Sequence, residues 1–186
     1  MSIAKVTRIV QETPSTISIH LKPESGQDFL PGQFITIHSD VNGEALKRSY
    51  SFSSSPGDHE WRITIKRVGG GKMSNHLHDT LQVGDQINYD GPEGIFTFDK
   101  NNQYDQHILI AAGSGITPIM SMMKEHLGQT SHPITLFYGN RNLKETIFLK
   151  ELNQWHNDHD HFNFRLFLSK PGLKHLLFSS KQPYFK

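Results

Sequence analysis

The chain contains no cysteine. That absence excludes disulfide bridges, thiolate nucleophiles and any iron–sulfur cluster held by cysteines of this chain, and it suits the cytosol. Net charge is nearly absent too. Nineteen Lys and Arg against 18 Asp and Glu leave +1 with neutral histidines, so no global field marks a nucleic acid or an anionic membrane as partner, and any basic site is local. No stretch approaches the about 18 consecutive apolar residues of a membrane span. The start, Met1-Ser2-Ile3-Ala4-Lys5-Val6, lacks the uninterrupted apolar core of a secretory signal. The expectation is a cytoplasmic globular protein with no nucleic-acid partner and no membrane span. Apolar residues at 35% allow a packed core, and 186 residues suffice for one sizeable domain or two small ones.

What is present falls into two textures. From residue 5 to 98, short β-rich runs at 5–12, 16–21, 33–38, 48–53, 60–67 and 86–90 alternate with turn formers such as Pro31-Gly32, Val41-Asn42-Gly43 and Gly91-Pro92-Glu93-Gly94. Six such runs predict an antiparallel barrel, whose closure protects the sheet edges. A polar stretch at 99–106 separates this from an apolar strand at 107–112, an amphipathic segment at 118–127, a strand at 134–138, a helix around 144–155 and a strand at 162–168. The β-α-β-α-β order predicts a parallel sheet with crossover helices. The division expected is a domain over 1–100 and a second, partial α/β domain over 104–186, with the boundary near 100–105. Lys170-Pro171-Gly172 breaks the pattern, and the remainder is assigned no strand.

The densest chemistry lies at Arg48-Ser49-Tyr50-Ser51. On a strand, residues two apart share a face, so Arg48 and Tyr50 present a guanidinium and an aromatic ring to one ligand, which suits a phosphate joined to a flat ring. Gly69-Gly70-Gly71 brings backbone amides close to an anion, and Ser74 with 75–81 reads as the start of a helix, a second phosphate-directed feature. Gly113-Ser114-Gly115-Ile116-Thr117-Pro118 sits where a strand meets a helix, with Thr117 as cap and Pro118 at the first helical position. It departs from G-x-G-x-x-G because Pro118 replaces the third glycine, and the second strand ends in Tyr138-Gly139-Asn140-Arg141 without a ribose-binding acid. Arg141 is either a nucleotide-phosphate contact or a solvated surface arginine. His156, His159 and His161 match no zinc spacing, and no metal is expected there.

Arg48-Ser49-Tyr50-Ser51, Gly71-Lys72-Met73-Ser74, Gly91-Pro92-Glu93-Gly94-Ile95-Phe96 and Gly113-Ser114-Gly115-Ile116-Thr117-Pro118 occur in one order. In that order the chain resembles the ferredoxin–NADP reductase-type flavoproteins, most of all the bacterial reductases that feed oxygenases, flavohaemoglobins or iron–sulfur partners. The resemblance implies a six-stranded Greek-key FAD-binding barrel followed by a partial parallel α/β nucleotide-binding domain. It also implies that Arg48 holds the FAD pyrophosphate, Tyr50 packs on the isoalloxazine and Ser51 hydrogen-bonds near flavin N5. Ser49 belongs to the same motif. Lys66 and Val68 lie along the flavin, Gly71, Lys72, Met73 and Ser74 meet the pyrophosphate, and Gly113, Ser114, Gly115, Thr117 and Arg141 receive NADH or NADPH. Ser51 and Thr117 take the catalytic assignment. The function implied is transfer of hydride from nicotinamide to flavin and of electrons to a ferredoxin-like protein, an oxygenase component or a small molecule. Further β-α units and a Cys-Gly-Pro-type motif of the family are missing after residue 168, so an impaired or non-catalytic FAD-binding remnant is the alternative.

Overall fold

Alternation of apolar and polar residues builds the first sheet. The computed structural model describes residues 1–98, 105–129 and 131–170 in full and the backbone of Tyr184 and Phe185. The strands β1 (Ser2–Thr13), β2 (Thr16–Pro23), β3 (Phe34–Val41), β4 (Glu44–Ser51), β5 (Trp61–Lys66) and β6 (Gln86–Glu93) pair antiparallel in the order β4-β3-β6-β1-β2-β5. A bridge between Phe52 and Ile63 joins the two outer strands and closes the barrel. Most strands run a few residues beyond the expected spans, because ladder pairing continues into turn-flanking residues that carry no apolar signal of their own.

The barrel core has Ile19, Leu21, Ile35, Phe52, Ile63 and Tyr89 at its centre, all inaccessible to solvent. Phe29 stacks on Phe52 at 3.9 Å between ring centroids, and Trp61 meets Phe52 and Tyr89 edge-on at 5.0 and 5.5 Å, geometries that add to area burial. Three buried hydroxyls are satisfied in a row: Ser18 Oγ donates to Glu12 Oε1 at 2.6 Å, and Thr64 Oγ1 lies 2.8 Å from both Ser18 Oγ and Ser53 Oγ.

The β3–β4 hairpin turns through Asn42 and Gly43, at φ 55° and 81°, and Gly43 N–H donates to Asp40 Oδ1 at 2.8 Å. Two central residues at positive φ match the twist of the flanking strands. Asn tolerates this conformation and Ala does not, so Asn42→Ala should lower unfolding free energy by about 1 kcal/mol while Asn42→Gly leaves it nearly unchanged. Urea titration of the two variants checks this.

The helix α1 (Lys72–Thr80) follows β5, starting two residues before the expected Ser74. The second sheet comprises β7 (His107–Ala112), β8 (Ile134–Asn140), β9 (Phe162–Leu168) and β10 (Tyr184–Phe185), all parallel, in the order β10-β9-β8-β7. The bounds of β7 and β9 agree with expectation. Strand β10, which pairs Tyr184 with Leu166 and Phe185 with Phe167, corrects the reading of a tail without a strand. Two residues are too short for a period-2 signal. Between the strands run α2 (Ile116–His126) and α3 (Leu149–Asp158). The single helix expected around 144–155 is instead a 3-10 turn at Leu143–Glu145 followed by α3, because Phe148 takes a left-handed conformation at φ 59° that interrupts helical hydrogen bonding.

By internal contacts the residues group as Met1–Phe98 with Thr117–Glu125, and as Asp99–Ile116 with His126–Lys186. Residues 100–104, within the expected boundary, and the tail 171–183 lie outside the described residues. Among the described residues no helix is long and apolar enough to cross a membrane.

Candidate functional site

β4 carries the first candidate cluster. Its register sets Arg48 against Ile37, Ser49 against Thr36, Tyr50 against Ile35 and Ser51 against Phe34. Arg48 is exposed and its Nη1 donates to the Lys47 carbonyl at 2.7 Å, while Tyr50 is half-buried against the barrel core. Ser49 Oγ lies 2.9 Å from Thr36 Oγ1. Lys66 ends β5, and Val68 just beyond it is 58% exposed, an apolar side chain left open to solvent beside the glycine turn.

Burial pushes the Tyr50 hydroxyl up to about 12, with the neighbouring Arg48 guanidinium pulling the other way. In the unfolded chain a tyrosine ionises near 10. The contribution of Tyr50 to stability is therefore complete below pH 10 and is lost as pH rises from about 10 to 12, where the unfolded chain ionises first. Tyr50→Phe should flatten the alkaline fall in unfolding midpoint over that window, and a midpoint-versus-pH series on both proteins reads it directly.

The glycine turn and α1 supply the second cluster. Gly70 sits at φ 73°, and a Cβ added at Gly69 or Gly70 would meet nothing within 4 Å, so the turn faces open space. Gly71 is the N-cap of α1 and makes no side-chain capping bond, and the first helical turn holds no acidic residue. The N–H groups and the positive end of the helix are thus not offset by a carboxylate of its own first turn. Met73 and Ser74 are buried, with Ser74 Oγ accepting from Val68 N–H at 3.1 Å. Their side chains fix the turn and are turned away from solvent, so of these two residues the backbone is what faces a ligand. An ion pair between Lys72 Nζ and Glu44 Oε2 ties α1 to β4, and Arg67 Nη2 holds Asp79 Oδ1 at 2.7 Å on the other flank. His78 contacts the Ile65 carbonyl at 2.9 Å and is a structural side chain.

The third cluster begins where β7 ends. Gly113–Gly115 forms a 3-10 turn with Gly113 at φ 50°. A Cβ added at Gly113 or Gly115 would find no atom within 4 Å, so the turn is accessible alongside the exposed Ser114. Tyr138 on β8 donates from its hydroxyl to the Gly113 carbonyl at 2.9 Å, and burial holds that hydroxyl protonated well above the ordinary range. The expectation that Thr117 caps α2 is corrected: the helix already begins at Ile116, and Thr117 is buried in its first turn. Pro118, the third residue, costs no hydrogen bond there because first-turn N–H groups have no partner within the helix.

Arg141 follows β8 directly and is exposed, its carbonyl accepting from Lys170 N–H at 2.7 Å. Sequence reasoning missed Asn140. Its carboxamide is buried beside the Tyr138 hydroxyl, without a hydrogen bond of good geometry. The signal was available, since Ile134, Leu136 and Tyr138 set a period-2 buried face that Asn140 continues with a polar group. His156 Nδ1 contacts the Phe162 carbonyl at 2.9 Å, while His159 and His161 meet ring to ring at 5.5 Å.

Comparison with known proteins matches two family models, one described as an oxidoreductase FAD-binding domain over residues 2–98 and one as an oxidoreductase NAD-binding domain over 109–172. The chain is 34% identical over 164 residues to a flavohemoprotein of Pseudomonas aeruginosa, covering 85% of this chain and 41% of the relative. It is 36% identical over 147 residues to the glycine betaine monooxygenase reductase subunit of the same organism, covering 78% and 40%. The solved flavohem-like FAD/NAD-binding domain of a nitric oxide dioxygenase from Vibrio cholerae superposes with a TM-score of 0.84 at 26% identity, over 92% of this chain and 75% of that one. The chain thus spans well under half the length of the two Pseudomonas relatives.

Proposed function

The chain belongs to the oxidoreductase family that joins an FAD-binding to an NAD-binding domain, and from that premise we propose that it is an NAD(P)H-dependent flavoprotein reductase serving a ferredoxin-like or oxygenase partner. The observation that carries the reading is the N-terminus of α1, which has no side-chain cap and no acidic residue in its first turn and is tied through Lys72 and Glu44 to the strand that bears Arg48. One anion-seeking feature suits one phosphate. Two on adjacent elements suit a pyrophosphate, which favours FAD over FMN.

Arg48 is assigned to the pyrophosphate with the backbone of Gly71, Lys72, Met73 and Ser74, and Tyr50 to the isoalloxazine face. Ser49, Ser51, Lys66 and Val68 line the same ligand, with Ser51 beside its redox-active edge. Gly113, Ser114, Gly115, Thr117 and Arg141 receive NADH or NADPH. We assign the flavin to residues 1–100 and the pyridine nucleotide to 104–186. Bound FAD supplies the step between a two-electron donor and the acceptor, so the protein needs no nucleophile. Its own groups bind and orient, and the half-buried, protonated Tyr50 excludes water from one side of the flavin site.

Steady-state oxidation of NADH and NADPH with an artificial electron acceptor tests the assignment. Turnover by the FAD-bound protein that is lost when the flavin is removed supports it. A flavin-bound protein without turnover with either nucleotide would reduce the chain to a binding module.

A further inference from the structure

A recess of about 310 Å³ opens on the outer surface of the barrel, away from β4 and the N-terminus of α1. Its floor is a row across three strands: Arg8 on β1 stands opposite His20 on β2, which stands opposite Arg62 on β5. A bulge at Thr7 makes the row. The register slips between Val6 and Arg8, so Arg8 is turned out instead of sharing the inward face of fully buried Val6. Lys124 of α2 completes the lining with Asp58, His59 and Glu60 of the segment before β5.

His20 stands between the two arginines in this row, which gathers their charges on one polar recess. Each arm is held by a partner, two of which also line the recess. Arg8 Nη2 lies 2.9 Å from His20 Nε2, Arg62 donates to the Ser53 carbonyl at 2.7 Å, and Lys124 Nζ is 2.9 Å from Asp58 Oδ2. Three fixed cations and two histidines stand against the carboxylates of Asp58 and Glu60. We propose that this recess is a second, non-flavin site, which binds a small doubly charged oxyanion of the phosphate or phosphate-monoester class between Arg8, Arg62 and Lys124. Its volume is at the small end of ligand pockets, and the planar guanidinium forks match tetrahedral oxyanions.

His20 reports occupancy. Its side chain is 12% exposed, and burial, then Arg8 and Arg62, hold its ionisation below the ordinary histidine range, with Glu60 opposing and Lys124 adding to the cations. An anion seated among these groups reverses their effect and raises the His20 midpoint.

The test uses the FAD-loaded full chain in a non-phosphate buffer, with the His20 ring followed by NMR during titration with inorganic phosphate and, separately, methyl phosphate. The expected result is a saturable shift with one or both ligands, an upward move of the His20 midpoint, and about tenfold weaker binding in both Arg8→Gln and Lys124→Gln, the loss of one charge-assisted contact. Tighter binding of methyl phosphate would identify an ester as the ligand; tighter binding of phosphate, the free ion. Two variants on different elements guard against one failing to fold. A non-saturating shift, or saturation unchanged in the variants, overturns the proposal. Flavin absorbance, recorded on the same samples, keeps this outcome separate from the reductase assignment.

Discussion

Replacing Gly115 by valine is expected to cut reduction by NADH or NADPH at least about hundredfold while the flavin stays bound, because displacing a bound reactant by about 1 Å already costs that much. The Gly113–Gly115 turn presents backbone to open space, and a Cβ at Gly115 meets no atom of the protein within 4 Å. The substitution is therefore tolerated by the fold. Its branched side chain instead occupies the space into which we place the nucleotide. Gly115 is not at positive φ, so the backbone accepts valine, unlike Gly113 at φ 50°. Stopped-flow reduction, with the flavin spectrum and unfolding midpoint as controls, separates the cases. Loss of flavin together with loss of reduction would show that the two ligand sites are not distinct.

Arg48→Ala should weaken FAD binding by about ten- to a hundredfold, the equivalent of a charge-assisted hydrogen bond worth about 1.5–3 kcal/mol. Folding should be almost unaffected. Arg48 is exposed and its side chain donates to the adjacent Lys47 carbonyl, so its removal leaves no buried partner stranded. Arg48→Lys should recover only part of the loss, since an ammonium cannot reproduce the planar fork. Fluorescence titration of apoprotein with FAD measures all three proteins. Equal affinity in Arg48→Ala and the parent would remove Arg48 from the site.

The barrel was legible because its strands are short β-rich runs, β3 with alternate residues buried in its first half, bounded by turn formers with definite backbone roles, as at Asn42-Gly43. Strands β7 and β9 were equally plain, being apolar runs next to polar ones. Helix ends were not. The start of α1 is set by Gly71 without a capping side chain, so nothing in the residue types marks it, and Thr117 offered a capping signal that the helix overrides by starting at Ile116. The left-handed Phe148 that splits the segment before α3 is a conformation no local residue preference announces.

The candidate site divides the same way. Arg48 and Tyr50 follow from strand alternation and side-chain chemistry, whereas a role for Ser51 depends on family resemblance. The tie between Lys72 and Glu44, 28 positions apart, is a tertiary fact invisible along the chain. The burial of Asn140 is readable from the period-2 face of β8, but its place beside the Tyr138 hydroxyl is not. The bulge that turns Arg8 outward is another such case, because period-2 counting from Val6 places it inside.

An absorption spectrum of the purified protein, taken before and after anaerobic addition of NADH, decides whether this chain is a flavin-dependent reductase. The bands of oxidised flavin should stand at the outset, the flavin should be released as FAD on denaturation, and NADH should bleach the bands. A colourless protein that does not take up added FAD, or flavin bands unchanged by both NADH and NADPH, would contradict the assignment.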